Sequence, residues 1–245
     1  MSTTERRVAL VTGAGGAIGG AVARRLAADG FAVAVVDLDL ERAQATAAEL
    51  DGAAAFGCDV RHEAQVTAVR DAVRAELGDP WLLVNVAGLF FEHRITDLAV
   101  EDWDAIIDVN LKGPYLTCKA LLPAMIAARS GCIVNVASTA GIRGGHTRAA
   151  YNAAKGGEVL LTRSLALDHG PDGVRVNCVC PGLIDTPMAD WIRLDPPALS
   201  AFEESLPAGR MGTPDEIAGV VSFLASADAS YMHGAVVVAD GGVTA

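Results

Sequence analysis

Short apolar runs alternate with longer amphipathic segments along almost the whole chain. The short runs are rich in Val, Ile, Leu and Ala and end in polar or glycine residues, which is typical of buried strands. Seven strands are predicted, at Val8 to Thr12, Ala32 to Asp37, Ala53 to Cys58, Trp81 to Asn85, Cys132 to Ala137, Val174 to Val179 and Ala235 to Ala239.

The segments between these runs have apolar residues at helical spacing. They predict helices at Ile18 to Asp29, Leu40 to Leu50, Glu63 to Leu77, Asp102 to Arg129, Tyr151 to His169 and Pro214 to Ala225. Strands that alternate with helices and are apolar on both sides predict a parallel sheet covered on both faces. We therefore expect an α/β fold, a single doubly wound domain of the Rossmann type with a seven-stranded parallel sheet, over residues 1–245.

The first strand runs into a glycine-rich turn and then into a helix, V-A-L-V-T-G-A-G-G-A-I-G from Val8 to Gly19. Glycines let the backbone approach a diphosphate, and a helix N-terminus offers unpaired N–H groups with a partial positive charge. A close packing turn without a ligand would have the same glycines. Asp37, 24 residues beyond Gly13 at the end of the second strand, favours a dinucleotide site because a carboxylate there can hold a ribose.

Ligands of such sheets bind beyond the carboxyl ends of the strands, so the residues there are candidates. Asp59 with Val60, Asn85 to Gly88, Ser138 with Thr139, and Pro181 to Thr186 occupy these places. Asp59 could instead cap the next helix, and Asn85 could bridge strand backbones. Their shared edge favours a ligand.

Tyr151 and Lys155 lie four residues apart on a predicted helix, so both project from one face. A free tyrosine exchanges its proton only well above neutral pH, and a fixed ammonium group favours the phenolate. A solvated Tyr-Lys pair is the alternative. Ser138 argues against it, because a hydroxyl at the end of the preceding strand could donate to a carbonyl oxygen that gains negative charge.

The chain has 245 residues, 19 basic and 30 acidic, with a formal charge of −11. A generally acidic surface disfavours nucleic acid and anionic lipid as partners. No apolar run has the length of a signal peptide or a membrane span, and the five cysteines show no C-x-x-C spacing. We expect a cytoplasmic protein with buried thiols and no metal.

These residues together resemble the short-chain dehydrogenase/reductase family over essentially the whole chain. The matching motifs are T-G-x-x-x-x-x-G from Thr12 to Gly19, Asp59-Val60, N-x-A-G from Asn85 to Gly88, Asn110 in D-V-N-L-K, Ser138, Tyr151-x-x-x-Lys155, P-G-L-I-D-T from Pro181 to Thr186, R-M-G-T-P-D-E-I-A and V-A-D-G-G. Two residues depart from the family pattern, Ala17 in place of a glycine and Val86 in place of an asparagine. We expect a slightly shifted phosphate contact with binding retained.

The resemblance implies interconversion of a secondary alcohol and a ketone with a nicotinamide cofactor. Tyr151 would exchange the proton, Ser138 would polarise the substrate oxygen, Lys155 would act on Tyr151 and bind the nicotinamide ribose, and Asn110 would hold a water. The implied cofactor-binding residues are Gly13, Gly15, Gly16, Ile18, Gly19, Asp37, Asp59, Val60, Asn85, Ala87, Gly88, Tyr151, Lys155, Pro181, Gly182, Ile184 and Thr186.

Asp37 favours NAD over its 2′-phosphorylated form, because a phosphate beside this carboxylate would bring like charges together without a compensating cation. Relatives that use NADP commonly carry a basic residue where this chain has Gly16 or Leu38. We therefore expect NAD.

Three loops would form the substrate pocket, Leu89 to Thr96, Thr139 to Arg148 and Pro187 to Arg210. The last has apolar helical pieces and is predicted to be a mobile lid at about 187–210. A 3-oxoacyl-[acyl-carrier-protein] reductase and a non-catalytic dinucleotide-sensing protein are the alternatives. The family resemblance also implies a homotetramer.

Overall fold

The computed structural model describes residues 6–245 and contains one parallel sheet of seven strands in the order β3-β2-β1-β4-β5-β6-β7. The strands are β1 (Val8–Thr12), β2 (Ala32–Asp37), β3 (Ala53–Gly57), β4 (Pro80–Asn85), β5 (Gly131–Val136), β6 (Val174–Pro181) and β7 (Val236–Ala239). All pairings within the sheet are parallel. The predicted Rossmann-type fold is confirmed, and every predicted strand is present.

Helices cover both faces of this sheet. They are α1 (Ala17–Ala28), α2 (Leu40–Ala48), α3 (Glu63–Glu76), α4 (Val100–Ile107), α5 (Gly113–Ala127), α6 (Ala149–His169), α7 (Asp190–Arg193), α8 (Pro196–Glu204) and α9 (Pro214–Ala225). Both α7 and α8 lie entirely in the segment that the sequence predicts as a lid.

The two largest hydrophobic cores lie on opposite faces of the sheet, as the alternation of side chains along β1 requires. Ala9 and Val11 face one core with Leu26 of α1 and Val221 of α9. Val8 and Leu10 face the other core, which α3, α5 and α6 cover. Every residue of β1 is buried, and burying one large apolar side chain contributes about 1.5–3 kcal/mol. The strand β1 therefore anchors both helical layers.

The single long helix predicted at Asp102 to Arg129 is wrong in one respect. A π-helical turn at Asp108–Lys112 separates α4 from α5, and the N–H of Gly113 donates to the carbonyl oxygen of Asp108. Pro114 has no N–H, so the carbonyl of Asn110 cannot receive the usual helical hydrogen bond. Asn110, the middle residue of this π turn, is completely buried.

The strand order reverses between β1 and β4, which both continue into loops at the same edge of the sheet. Crevices outside the carboxyl ends of strands at such a reversal bind ligands in this class of fold. The glycine turn after β1 and the loop 86–88 after β4 meet at this point.

The five cysteines are buried free thiols. Burial raises the pKa of Cys58 and Cys132 to about 11 and that of Cys118 to about 12. Within residues 6–245 no helix is long and apolar enough to cross a membrane. The same residues contain no group of three or more side chains that could hold a metal ion.

Two adjacent glycines of α1 offer a test of the turn. A Cβ at Gly19 would clash with the carbonyl oxygen of Gly13, whereas a Cβ at Gly20 would meet its nearest heavy atom, the oxygen of Ala14, at 3.4 Å. We expect Gly19→Ala to lower the free energy of unfolding by about 1–3 kcal/mol, as overpacking does. Denaturant unfolding measures this change.

Gly20→Ala is the matched control. We expect it to be neutral or to stabilise the protein by up to about 1 kcal/mol, because alanine favours a helix over glycine. Equal destabilisation by the two substitutions would contradict the close approach of Gly19 to the turn.

Candidate active site

The glycine turn leads directly into α1. Gly13 has a positive φ of 65°, and a Cβ there would lie 2.8 Å from the backbone of Ala87. Gly16 occupies the N-cap position and provides no side-chain cap. The first-turn N–H groups, at Ala17, Ile18 and Gly19, are therefore not satisfied by a capping side chain, which suits an anionic group at the helix N-terminus.

Thr12 joins the glycine turn to the loop after β4. Its buried hydroxyl accepts hydrogen bonds from the backbone N–H groups of Val86 and Ala87, at 3.1 and 3.2 Å. The backbone of residue 86 makes this contact, and the Val86 side chain packs against the core that contains α1. Val86 in place of the family asparagine therefore leaves the connection between the two loops intact.

The carboxylate of Asp37 lies beside the glycine turn. It accepts the N–H of Gly15 at 2.9 Å and the N–H of Asp39 at 3.0 Å. A Cβ at Gly15 would lie 2.8 Å from Cβ of Arg42, so the first turn of α2 packs against the same place. Sequence reasoning missed Arg42, which brings a basic side chain to the edge where a ribose would bind.

Two candidates for the adenine side make strong internal contacts. Arg61 forms a forked ion pair with the carboxylate of Asp59, at 2.6 to 3.0 Å, and its hydrogen bond lowers the pKa of Asp59. The side chain of Asn85 is buried and contacts Asn135 and Thr117 at 2.9 and 2.7 Å. At Asn85, therefore, only backbone groups remain available to a ligand. The side chain of Val60 packs against Gly113.

The end of β6 holds the remaining cofactor candidates. Pro181 is the last residue of the strand, and the N–H of Gly182 donates to the carbonyl of Ala239 at 3.0 Å. Ile184 pairs with Gly212 in an isolated bridge. Thr186 is buried, its hydroxyl donates to the carbonyl of Ile184 at 3.3 Å, and it directly precedes the turn at Pro187–Ala189, where the lid segment begins.

Ser138 and Tyr151 belong to two segments that are tied together. Ser138 follows β5, and its hydroxyl oxygen accepts the N–H of Ala140 at 3.1 Å, so its own hydrogen remains available to donate. Asn152, next to Tyr151 on α6, donates to the carbonyl oxygens of Ala140 and Arg143 at 2.7 and 2.6 Å. These bonds fix the Ser138 loop against the first turn of α6.

Lys155 lies one helical turn behind Tyr151 and is buried. Its ammonium nitrogen is 6.0 Å from the centre of the Tyr151 ring, and it donates to the carbonyl of Val136 at 2.9 Å and to Glu158 at 2.8 Å. Burial lowers the pKa of Lys155, but the charges of Glu158 and Tyr151 and the hydrogen bond to Glu158 together outweigh burial and leave this pKa above its ordinary value. Lys155 therefore carries its charge at neutral pH.

Asn110 is completely buried and holds the loop after β4. Its amide nitrogen donates to the carbonyls of Leu89 and Ile106 at 2.8 and 2.9 Å, and its oxygen accepts the N–H of Leu89 at 3.2 Å. The π-helical turn gives Asn110 this position. The expected bridging water at Asn110 stays a prediction.

A cleft of about 530 Å³ opens next to Tyr151. Its lining comes from two of the predicted pocket loops and consists of Gly88, Leu89, Phe90, Phe91, Glu92, His93, Pro187, Met188 and Trp191. The ring of Phe90 packs edge-on against Tyr151, with the ring centres 5.1 Å apart. Phe90 therefore connects the cleft to the tyrosine.

Arg148, which sequence reasoning did not single out, holds the three pocket loops together. Its guanidinium carbon lies 5.3 Å from the centre of the Phe90 ring and 4.6 Å from that of Trp191. Its nitrogens donate to Oε1 of Glu92 at 3.0 and 2.8 Å. Arg143 of the same loop donates to the carbonyl of Val243, and His146 is exposed.

Comparison with known proteins agrees with this geometry. Residues 13–244 match a family model described as "Enoyl-(Acyl carrier protein) reductase". The chain is 40% identical to meso-2,3-butanediol dehydrogenase of Serratia marcescens, over 98% of this chain and 96% of the relative. The chain belongs to the short-chain dehydrogenase/reductase family.

Two further similarities extend over nearly all of the chain. D-threitol dehydrogenase of Mycolicibacterium smegmatis is 41% identical, with 97% of this chain and 93% of that protein covered. The crystal structure of gox2181 superposes with a TM-score of 0.95 at 35% identity, covering 98% of this chain and 96% of the other. This protein is thus an oxidoreductase that interconverts secondary alcohols and ketones with a nicotinamide dinucleotide.

Thr12→Val tests the connection between the glycine turn and the loop after β4. Valine keeps the shape of threonine but leaves the buried N–H groups of Val86 and Ala87 without their acceptor, at a cost of about 1–3 kcal/mol each when uncompensated. We expect a lower free energy of unfolding in denaturant titrations and weaker NADH binding. Thr12→Ser, which retains the hydroxyl, should lose much less of both, and identical behaviour of the two variants would contradict the role of the hydroxyl.

Proposed function

We propose that this protein is an NAD(H)-dependent dehydrogenase of small secondary alcohols that carry a neighbouring hydroxyl group, with Tyr151 as its acid/base. The observation that carries this proposal is the contact of Tyr151 with Phe90 at the wall of the cleft, with the charged Lys155 one turn behind. A substrate oxygen that enters from the cleft would reach the phenol and the Ser138 hydroxyl together.

In this proposal Tyr151 takes the proton of the alcohol during oxidation and returns it to the ketone oxygen during reduction. Ser138 donates a hydrogen bond to the same oxygen and stabilises the negative charge that develops there. Lys155 favours the ionised form of the phenol through its charge. A bound nicotinamide supplies or accepts the hydride, and the chain positions the reacting groups.

The residues of the switch-point crevice fit a dinucleotide. The N-terminus of α1 without a side-chain cap would receive the diphosphate, with Gly13, Gly15, Gly16, Ile18 and Gly19 around it. Asp37 retains lone pairs for the hydroxyls of the adenosine ribose beyond its two backbone contacts. Asp59, Val60, Asn85, Ala87, Gly88, Pro181, Gly182, Ile184 and Thr186 would line the rest of the site.

The choice of NAD depends on the balance between Asp37 and Arg42. The Asp37 carboxylate would repel a 2′-phosphate at the place where it would accept ribose hydroxyls. Arg42 offers a cation nearby, but its side chain forms no ion pair with the Asp37 carboxylate within residues 6–245. We propose that Asp37 dominates because its carboxylate is held in place by two backbone N–H groups, whereas the Arg42 side chain is exposed.

The cleft suits a polyol better than a purely apolar substrate. Phe90 and Trp191 offer flat apolar surfaces. Both hydrogen bonds from Arg148 go to Oε1 of Glu92, so Oε2 of Glu92 keeps its lone pairs for a substrate hydroxyl group. Two relatives are named as dehydrogenases of meso-2,3-butanediol and of D-threitol, a diol and a polyol. These names support the same class of substrate for this protein.

A 3-oxoacyl-[acyl-carrier-protein] reductase is the second candidate. The description of the matching family model, which names an acyl carrier protein, favours it. Asp37 disfavours it, since we expect the reductase of such thioesters to use the phosphorylated cofactor. A dinucleotide sensor without turnover would not need the arrangement of Asn110, Ser138, Tyr151 and Lys155.

We further propose a cytoplasmic homotetramer with one catalytic domain per chain and a mobile lid at about 187–210. Leu160 and Leu167 of α6 are 61% and 79% exposed, and Tyr115 of α5 is also exposed, so both helices leave apolar surface for a partner copy. Leu161 and Leu165 of the same helix are half-buried, so the protein interior accounts for part of that apolar face.

An absorbance assay of nicotinamide reduction tests the proposed substrate and cofactor. We expect the enzyme to oxidise vicinal diols and tetritols with NAD. The kcat/KM for these diols should be at least tenfold above that for the matched monohydric alcohol 2-butanol, and the kcat/KM with NAD should be at least tenfold above that with NADP. Oxidation of hydroxyacyl thioesters with NADP would instead support the second candidate, and preference for NADP with the diols would assign the dominant role to Arg42.

Tyr151→Phe tests the acid/base. Loss of the hydroxyl should lower kcat by roughly 10²- to 10⁴-fold, the usual contribution of a positioned proton donor. NADH affinity, measured by fluorescence titration, should change little because the ring contacts with Phe90 remain. Tyr115→Phe, at an exposed tyrosine of α5, is the matched control and should keep full activity. Full turnover by Tyr151→Phe would exclude this mechanism.

A further inference from the structure

Glu158 is a buried carboxylate that the proposed mechanism does not use. It lies three residues after Lys155 on α6, has no solvent-exposed surface, and accepts the Lys155 ammonium group at 2.8 Å with Oε2. Its second oxygen, Oε1, is buried and has no hydrogen-bond partner among the described residues. A carboxylate without exposure is costly unless it is paired, so the contact with Lys155 maintains its charge.

The contact also restricts Lys155. An ammonium group has three N–H donors, and two of them are directed to Glu158 and to the carbonyl oxygen of Val136. One donor is left for a ligand. The long, flexible side chain of lysine is thereby fixed in one conformation before any ligand binds, which lowers the entropy lost on binding.

Few other titratable groups face this pair. Tyr151 precedes it on α6, Cys178 and Cys180 lie beneath it on β6, and Cys118 approaches from α5. The two sulfur atoms on β6 are 3.9 Å apart, and burial keeps the Cys118 thiol protonated by raising its pKa to about 12. The hydrogen bond with Cys178 lowers the pKa of the Cys180 thiol. Of the two members of the pair, Lys155 keeps its charge and Glu158 is the one whose charge changes at moderate pH.

We propose that Glu158 is a positioning residue, which directs the one remaining N–H of Lys155 towards the nicotinamide ribose and offsets the lysine charge next to Tyr151. This inference rests on the proposed function for the role of Tyr151, but the ion pair itself can be tested without turnover. The Lys155-Glu158 pair is neutral as a whole, so it favours the phenolate less than an unpaired ammonium group would.

The pH dependence follows from the same contact. Burial raises the pKa of Glu158 to about 6, while Lys155 opposes this increase. Above that pH the carboxylate is charged and the pair is neutral. Below it Glu158 takes up a proton, and the pair gains one positive charge.

NMR of protein labelled with ¹⁵N-lysine tests the ion pair directly, because the chain has only three lysines, Lys112, Lys119 and Lys155. We expect the Nζ signal of Lys155, assigned with Lys155→Arg, to shift with a midpoint near pH 6 in the unmodified protein. The shift should vanish in Glu158→Gln and persist in Asp168→Asn, which removes an exposed carboxylate from the same helix. No change of the Lys155 signal between pH 5 and 8 in the unmodified protein would overturn the proposal.

The pH profile of alcohol oxidation tests the effect on the reaction. In Glu158→Gln the acid limb of kcat/KM should move about one pH unit lower, because the unpaired lysine charge favours the phenolate. The KM for NAD should rise several-fold because Lys155 is no longer fixed, and Asp168→Asn should match the unmodified protein. An unchanged limb and KM in folded Glu158→Gln would overturn the positioning role.

The two experiments separate this inference from the proposed function. If no alcohol is oxidised but the Lys155 signal titrates near pH 6, the ion pair stands and the proposed function fails. If Glu158→Gln does not fold, the titration in the unmodified protein still decides whether the pair exists.

Discussion

The hydrogen bond from Lys155 to the carbonyl oxygen of Val136 is the contact on which the candidate site depends most. It ties α6 to the carboxyl end of β5, so the strand that leads to Ser138 and the helix that carries Tyr151 keep a fixed relation. A buried ammonium group is unfavourable without partners, and here a backbone carbonyl and a carboxylate supply them. Without these partners Lys155 would be expected to neutralise or leave its buried position.

A chain of buried polar residues extends this connection across the sheet. The Asn135 amide donates to Thr162 of α6 at 2.8 Å, Asn85 of β4 donates to Asn135 at 2.9 Å, and Thr117 of α5 donates to Asn85 at 2.7 Å. Buried polar groups that are fully hydrogen-bonded define one arrangement of the elements around them. The helices α5 and α6 are therefore aligned with β4 and β5 by directional bonds as well as by apolar packing.

The second connection lies at the switch point, where Thr12 accepts two N–H groups from the loop after β4. Gly13 permits the close approach of Ala87, and Asp37 holds Gly15, so three strand ends are joined by side chain to backbone contacts. Fixed backbone groups suit the binding of a diphosphate, since they need no reorganisation when the ligand arrives. The crevice is thus largely formed by the chain itself.

The sequence predicted the elements well and their exact ends less well. All seven strands follow from apolar runs, because strands covered on both faces of a sheet consist mostly of apolar residues. The break between α4 and α5 escaped prediction, since the apolar spacing continues through Asp108–Lys112 and only the missing N–H of Pro114 interrupts the hydrogen bonds. Asn85 stays a predicted cofactor residue, and its side chain is held by Asn135, a partner 50 residues away that the sequence does not indicate.

The fold class, the edge of the sheet where ligands are expected to bind and the residues with candidate chemistry all follow from the sequence, because they depend on local periodicity and on short motifs. Which side chains surround these residues depends on the tertiary structure. Arg148 and Glu92 are 56 residues apart, and Glu158 is one more polar residue on a helix until its burial next to Lys155 is known. Such contacts depend on how distant segments pack, and packing leaves no periodic signal in the chain.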